Sequence, residues 1–230
     1  MKKPRVLIAD DHSILLAGLC RLIEDRCEVV GMVEDGRALV EAAARLQPDL
    51  TLLDISMPLL NGLDAARQIK KLIPDAKLLF LTMHSSPTYV AEAFQAGANG
   101  YLLKQSAATE LPQAIEAVMK GQAYLTPAIT KPILETVFRP GHAEINRPVT
   151  ALTTRQREVL QLIAEGMSTK DAANLLCISV KTLNFHKNRI MEQLDLHSTP
   201  ALIKFAIAEG LASMESRPVP LNLPFPSPHD

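Results

Sequence analysis

Five short apolar runs constrain the first half of this chain more than any other feature. They are Val6 to Ala9, Val29 to Val33, Leu50 to Leu53, Leu78 to Leu81 and Gly100 to Leu103, each the length of one strand. Between them lie longer stretches with helical spacing, such as Leu15, Leu19, Leu22 and Ile23, or Ala65, Ile69 and Leu72. Strands that alternate with helices imply right-handed crossovers and a parallel sheet covered on both faces. The expected fold of residues 1–121 is therefore an α/β doubly wound (βα)5 domain. In such a domain a ligand site belongs at the carboxyl ends of the strands.

The pattern degrades after Leu125, where Pro127, Pro132, Pro140, Gly141 and Pro148 interrupt it, although Ala128 to Phe138 can hold a short helix. Residues 122–149 read as an interdomain linker. Residues 150–214 are helical in period throughout, with start signals at Thr153/Gln156, Ser168/Asp171, Ser179 and Thr199-Pro200, and stops at Gly166 and Gly210. These signals predict a small all-α domain of four helices. Residues 215–230 carry Pro218, Pro220, Pro224, Pro226 and Pro228, which reads as a disordered, proline-rich tail.

No window reaches the roughly 18 consecutive apolar residues of a membrane span, and the chain starts on a charged segment, so a cytoplasmic location without membrane contact is expected. Cys20, Cys27 and Cys177 lack CxxC or metal-ligand spacing and read as reduced, structural thiols, Cys20 and Cys177 within apolar helical patterns.

Chemistry concentrates at the strand ends. Asp10 and Asp11 follow the first run and Asp54 the third, and those two strands are neighbours in a doubly wound sheet. Three converging carboxylates call for a cation, and hard oxygen ligands with room for water suit Mg²⁺. Thr82 ends the fourth strand and Lys104 follows the fifth. A carboxylate nucleophile, a divalent metal, a hydroxyl donor and an ammonium are the parts needed to take up a phosphoryl group as an aspartyl phosphate.

At this point residues 1–121 resemble the receiver domain of bacterial response regulators. The words that carry the likeness are Ile8-Ala9-Asp10-Asp11-His12, Leu53-Asp54-Ile55-Ser56-Met57-Pro58 with Asn61-Gly62, Leu81-Thr82-Met83-His84, and Gly97-Ala98-Asn99-Gly100-Tyr101-Leu102-Leu103-Lys104. The resemblance implies that Asp54 is the phosphoacceptor and that Asp10, Asp11, Asp54 and the Ser56 backbone carbonyl hold the metal. It also implies that Lys104 steadies the phosphate, while Thr82 and Tyr101 form the pair that rearranges. New phosphoryl oxygens would draw the Thr82 hydroxyl inward and vacate space into which the Tyr101 ring rotates. One departure is Gln105, which follows Lys104 where many receivers have proline. Ser56 and His84, two residues beyond Asp54 and Thr82, flank the path of a hydrolytic water and are expected to set the phosphoryl lifetime.

In the second segment, Ser168 to Leu176, a break at Cys177-Ile178 and then Ser179 to Leu194 have the anatomy of a helix-turn-helix. Leu183, Ile190 and Leu194 follow core spacing on the second helix, which turns Lys181, Asn184, Phe185 and Asn188 to the opposite face. Asn can offer a bidentate pair to adenine, Phe can meet a thymine methyl, and Lys can reach guanine or phosphate. Thr182, His186, Lys187 and Arg189 flank that face as backbone contacts.

The words Leu152-Thr153-Thr154-Arg155-Gln156-Arg157-Glu158-Val159-Leu160 and Ile178-Ser179-Val180-Lys181-Thr182-Leu183-Asn184-Phe185-His186 resemble the LuxR-type output domain. Joined to a receiver, this makes the chain similar to the NarL/FixJ family of two-component response regulators. The resemblance implies a sensor histidine kinase as phosphodonor, a double-stranded DNA operator as target, and a homodimer formed through the last helix, with Ala201, Leu202, Phe205, Ala206 and Ala208 as its apolar residues. Such a protein is a phosphoacceptor rather than an enzyme. Two rivals use the same residues: a Mg²⁺-dependent phosphohydrolase, and a DNA-binding regulator indifferent to phosphorylation. The first lacks a GKS/T or GxGxxG loop and leaves the helix-turn-helix unexplained.

Charge adds one constraint. Lys plus Arg number 24 against 25 Asp plus Glu, and residues 150–214 carry seven basic and six acidic residues. Weak nonspecific DNA binding by a monomer is expected, so useful affinity would need a dimer that doubles the patch of Lys181, Lys187 and Arg189.

Overall fold

The computed structural model describes residues 3–137 and 148–212. Six strands form one parallel sheet in the order β2-β1-β3-β4-β5-β6, with β1 at Arg5–Ala9, β2 at Glu28–Val33, β3 at Leu50–Leu53, β4 at Leu78–Thr82, β5 at Gly100–Leu103 and β6 at Tyr124–Leu125. The crossover helices are α1 (Ser13–Ile23), α2 (Gly36–Leu46), α3 (Gly62–Leu72), α4 (Pro87–Gln95) and α5 (Ala107–Met119). One core packs α2, α3 and α4 on one face around Leu7, Leu53, Phe80 and Tyr101; the other packs α1 and α5 around Ile8, Leu52, Leu79 and Leu102. Strand residues therefore bury alternate side chains on both faces, which is why these runs are apolar throughout.

The sixth strand and α6 (Pro127–Val137) occupy part of the stretch read as a linker. Tyr124 and Leu125 pair in parallel with Gly100 and Tyr101, and Thr126 closes the edge, its hydroxyl accepting from the Leu103 amide at 3.0 Å. A two-residue strand is too short to show periodicity, so no pattern announces it. Residues 138–147 and the proline-rich tail lie outside the described residues.

The remaining helices are α7 (Thr154–Ala164), α8 (Thr169–Leu175), α9 (Val180–Gln193) and α10 (Thr199–Ala208), packed around Leu160, Leu162, Leu183, Ile190 and Leu202. Their caps follow from side chains. Thr153 and Gln156 form a complete capping box on α7. Ser168 caps α8, but the Asp171 carboxylate takes the Ser168 hydroxyl instead of reaching the cap amide, because Asp is one methylene shorter than Glu. On α10 the cap is Ser198, one residue earlier than the Thr199 signal, which puts Pro200 at the second position. Among the described residues no helix is long and apolar enough to cross a membrane.

Candidate functional site

The strand order reverses between β1 and β3, and the residues that leave those strands, Asp10 and Asp54, share the resulting crevice. Backbone bonds fix both: the Asp10 amide donates to the Val33 carbonyl at 3.1 Å and the Asp54 amide to Ala9 at 3.0 Å. Gly62, at the start of α3, passes so close to the Asp54 carbonyl that an added Cβ would lie 1.9 Å from its oxygen. The Asn61-Gly62 pair is thus a steric requirement of the pocket: Asn61 caps α3 and Gly62 clears the Asp54 loop.

Asp10, Asp54 and Thr82 are almost wholly buried. The Lys104 ammonium bridges the two acids, 2.7 Å from Asp10 Oδ2 and 2.8 Å from Asp54 Oδ2, while Asp54 Oδ1 accepts from the Ile55 amide at 2.6 Å. Burial pushes the Asp54 carboxyl up, and the neighbouring Lys104 opposes that rise. Burial acts to lower Lys104, but Asp54 and Asp10 outweigh it and keep the ammonium protonated. Thr82 Oγ1 accepts from the His84 amide at 3.3 Å, which leaves its hydroxyl proton to give.

Asp11 does not join this buried group. It points outward, 2.8 Å from His12 Nδ1, and His12 also lies 3.1 Å from Asp10 Oδ1. Sequence reading missed that bridging role of His12, although the residue stands in the Asp-Asp-His word. The donor set fits a hard divalent cation: the three aspartates carry more negative charge than one ammonium neutralises, and all offer oxygen.

The Tyr101 ring is fully buried beside Phe80, and its hydroxyl donates to the His84 carbonyl at 2.8 Å. Ser56 and His84 meet, Ser56 Oγ lying 2.9 Å from His84 Nε2.

In the helical segment, α8, a turn through Cys177 in the left-handed region (φ 52°) and α9 build the helix-turn-helix. Leu183 and Ile190 are buried, while Leu194 is half-buried at the end of α9. Lys181, Asn184, Phe185, Asn188 and Arg189 are exposed on α9, and Thr182, His186 and Lys187 are half-buried. Arg189 pairs with Glu192 at 3.1 Å on its own helix. Cys177 is exposed in the turn and Cys27 is the buried cysteine, the reverse of the apolar-pattern reading; all three thiols are unpaired in disulfide terms. On α10, Leu202 and Ala206 serve the domain's own core and Phe205 packs against it half-buried, while Ala201, Ile203 and Ile207 are half-buried and Ala208 is exposed.

A second feature that the sequence did not announce is the contact between the two packed units. Arg157 of α7 grips Asp64 of α3, with Nε 2.9 Å from Oδ2 and Nη2 2.6 Å from Oδ1. One turn on, Gln161 donates to the Met57 carbonyl at 2.9 Å and accepts from the Asn61 amide at 2.8 Å. Another turn on, the Glu165 carboxylate accepts from the Leu59 amide at 3.1 and 3.2 Å. Leu59 stands at φ 64°, a conformation costly for a branched side chain, and its side chain packs on the helical core. The helical spacing of Arg157, Gln161 and Glu165 is visible in the sequence but does not by itself distinguish a solvated face from a buried one.

The chain matches the response regulator receiver domain over residues 6–116 and the luxR family of bacterial regulatory proteins over residues 150–206. It is 35% identical over 213 residues to the oxygen regulatory protein NreC of Staphylococcus carnosus, covering 90% of this chain and 98% of NreC. The chain is a NarL/FixJ-family response regulator.

Within that family, the RcsB response regulator of Salmonella typhimurium is 30% identical and superposes with a TM-score of 0.56 over 90% of this chain and all of RcsB. The isolated RcsB receiver, covering 56% of this chain and 98% of its own, already scores 0.53 at 31% identity. In this response regulator the two domains are in direct contact. Its receiver lies against α7 and the end of α10, and the recognition helix α9 faces away from that contact.

Proposed function

We propose that this response regulator accepts a phosphoryl group on Asp54 from a sensor histidine kinase and binds double-stranded operator DNA as a homodimer. The observation that carries the reading is the Lys104 ammonium held 2.7 and 2.8 Å from two buried carboxylates at the carboxyl ends of the central strands. An Asp54 oxygen attacks phosphorus, the bond to the donor breaks, and the ammonium moves with the developing charge onto a phosphoryl oxygen. Thr82 then donates its hydroxyl proton to a second oxygen while still accepting from the His84 amide. Asp10, Asp11, Asp54 and the Ser56 carbonyl would hold Mg²⁺, which when bound neutralises charge on the transferring group.

On the output side, α9 would enter the major groove, with Lys181, Asn184, Phe185 and Asn188 toward base edges and Thr182, His186, Lys187 and Arg189 toward the backbone. RcsB is known as a DNA complex, which supports this use of the domain. The domain limits 1–121, 122–149 and 150–214 belong to the same proposal, with β6 and α6 as the ordered part of the connection.

Phosphorylation is tested by labelling the full chain with a small acyl phosphate. Stoichiometric incorporation that is lost in Asp54→Ala is expected; continuous turnover of a phosphomonoester would overturn the reading in favour of a hydrolase. Operator affinity is expected to rise when a beryllofluoride mimic occupies Asp54.

A further inference from the structure

The Asp54 pocket and the end of α10 are joined by an unbroken set of contacts. The Ser56 hydroxyl, two residues beyond Asp54, lies 2.9 Å from His84 Nε2. The His84 ring stacks on Tyr89 of α4, with centroids 4.1 Å apart and planes 19° from parallel. The Tyr89 hydroxyl donates to the Glu209 carbonyl at 3.1 Å, and Glu209 is the C-cap of α10. Next comes Gly210, at φ +66°, where an added Cβ would lie 2.0 Å from Tyr89 Oη. A side chain at this position would displace the Tyr89 hydroxyl from its seat, and the positive φ itself favours glycine. A second observation reaches the same place by another route. Asp11 and Ser56 line a small cleft whose other wall includes Glu165, Gly210 and Leu211 from the output domain.

We infer that Tyr89 is a positioning residue for hydrolysis of the aspartyl phosphate, and that docking of the α10 terminus on it sets the lifetime of that phosphate. The inference rests on Asp54 being the phosphoacceptor. In the hydrolytic step a water oxygen forms a new bond to phosphorus and the bond from phosphorus to the Asp54 carboxylate oxygen breaks. Inorganic phosphate leaves, Asp54 is restored as carboxylate, and the water's protons stay with phosphate and solvent. With Gly210 seated, Tyr89 holds the His84 ring against Ser56 beside this path. With α10 withdrawn, for example into a contact with a second copy, the stack loses its anchor, the ring can swing and water reaches phosphorus more readily. The docked and withdrawn positions of α10 are the two states such a device requires.

The experiment labels Asp54 in the full chain with a small acyl phosphate, removes the donor and follows decay in wild type, Gly210→Ala, Tyr89→Phe, His84→Ala and the Gly210→Ala/His84→Ala double variant. Severalfold faster decay is expected in Gly210→Ala, whose side chain displaces the Tyr89 hydroxyl. Tyr89→Phe, which keeps the ring but loses the bond to Glu209, is expected to decay faster too. In the His84→Ala background Gly210→Ala is expected to add nothing, a result that mere loosening of the fold would not produce. Wild-type or slower decay in both Gly210→Ala and Tyr89→Phe, or full additivity in the double variant, overturns the inference while leaving Asp54 as phosphoacceptor. Absence of label on wild type overturns the phosphoacceptor reading, and this inference with it.

Discussion

Two polar helix faces in the output domain meet opposite fates. On α7, Arg157 and Gln161 are 8% and 0% exposed beneath the receiver, and on α9, Phe185 is 61% exposed among Lys181, Asn184 and Asn188. The difference is one of partners. Each group on the α7 stripe meets a complementary one: Asp64 for Arg157, the Asn61 amide and Met57 carbonyl for Gln161, the Leu59 amide for Glu165. Burying such a face without those partners would cost several kcal/mol per charged group. The α9 face mixes cations, amides and one ring, a set suited to phosphates and base edges.

The largest effect that sharpens this comparison lies at the α7 stripe. Arg157→Ala leaves Asp64 buried with only Arg67, 2.9 Å away on the same helix, to balance it. Docking is expected to weaken by about 3–5 kcal/mol, the usual cost of removing one member of a buried pair. Faster amide exchange at Leu59 and Asn61, whose N–H groups are held by Glu165 and Gln161, is the measurement. Unchanged exchange there would mean that the stripe does not hold the domains together.

Next in size is the open face. Asn184→Ala is expected to cost about 1–3 kcal/mol of discrimination between operator and mismatched DNA. Its thermal stability should stay within about 0.5 kcal/mol of wild type, since the side chain is exposed. Equal discrimination before and after the change would remove Asn184 from base readout.

The contrast also explains what could be read from the chain beforehand. The five buried strands are continuous apolar runs because both sheet faces are covered, so the sheet and the converging Asp10, Asp54, Thr82 and Lys104 followed from pattern alone. The open face of α9 was legible because Leu183 and Ile190 fix which face is core. The α7 stripe was not, since Arg157, Gln161 and Glu165 at helical spacing look the same whether solvated or buried. Only the partner, about a hundred residues away in sequence, decides between them.

Acidity sharpens the docked side further. Glu165 is pushed up to about 7 from its ordinary 4.5, chiefly by burial, with nearby Asp35 adding to the rise and Gln161, the Leu59 amide and Arg37 opposing it. The docked state therefore prefers the protonated carboxyl, so this group's contribution to docking is full below 4.5 and is lost as pH rises through about 7. Burial would raise Asp64 as well, but Arg157 and Arg67 outweigh it and hold that carboxyl below its ordinary 3.8. Its contribution is present above 3.8 and is lost as pH falls through the lowered value. Docking should be tightest near pH 4–5 and fall by about tenfold toward pH 8, a discounted figure for a half-buried group. Glu165→Gln should flatten that fall, as read by exchange at the Leu59 amide.

The smallest effect separates phosphate contacts from base contacts on α9. Lys181 is exposed at the start of the helix, one turn before Asn184 and Phe185. If it meets phosphate, Lys181→Ala weakens binding about equally for operator and mismatched DNA and lowers the salt slope by about one per protomer. If it reaches guanine instead, discrimination falls at one base pair. Arg189 is the internal control, because its guanidinium already pairs with Glu192 and both are solvent-exposed. Part of its charge is spent within the helix, so Arg189→Ala should change the salt slope less than Lys181→Ala does. A larger change for Arg189 would mean that DNA draws it off Glu192, and that the open face of α9 is remade on binding where the closed face of α7 is already complete.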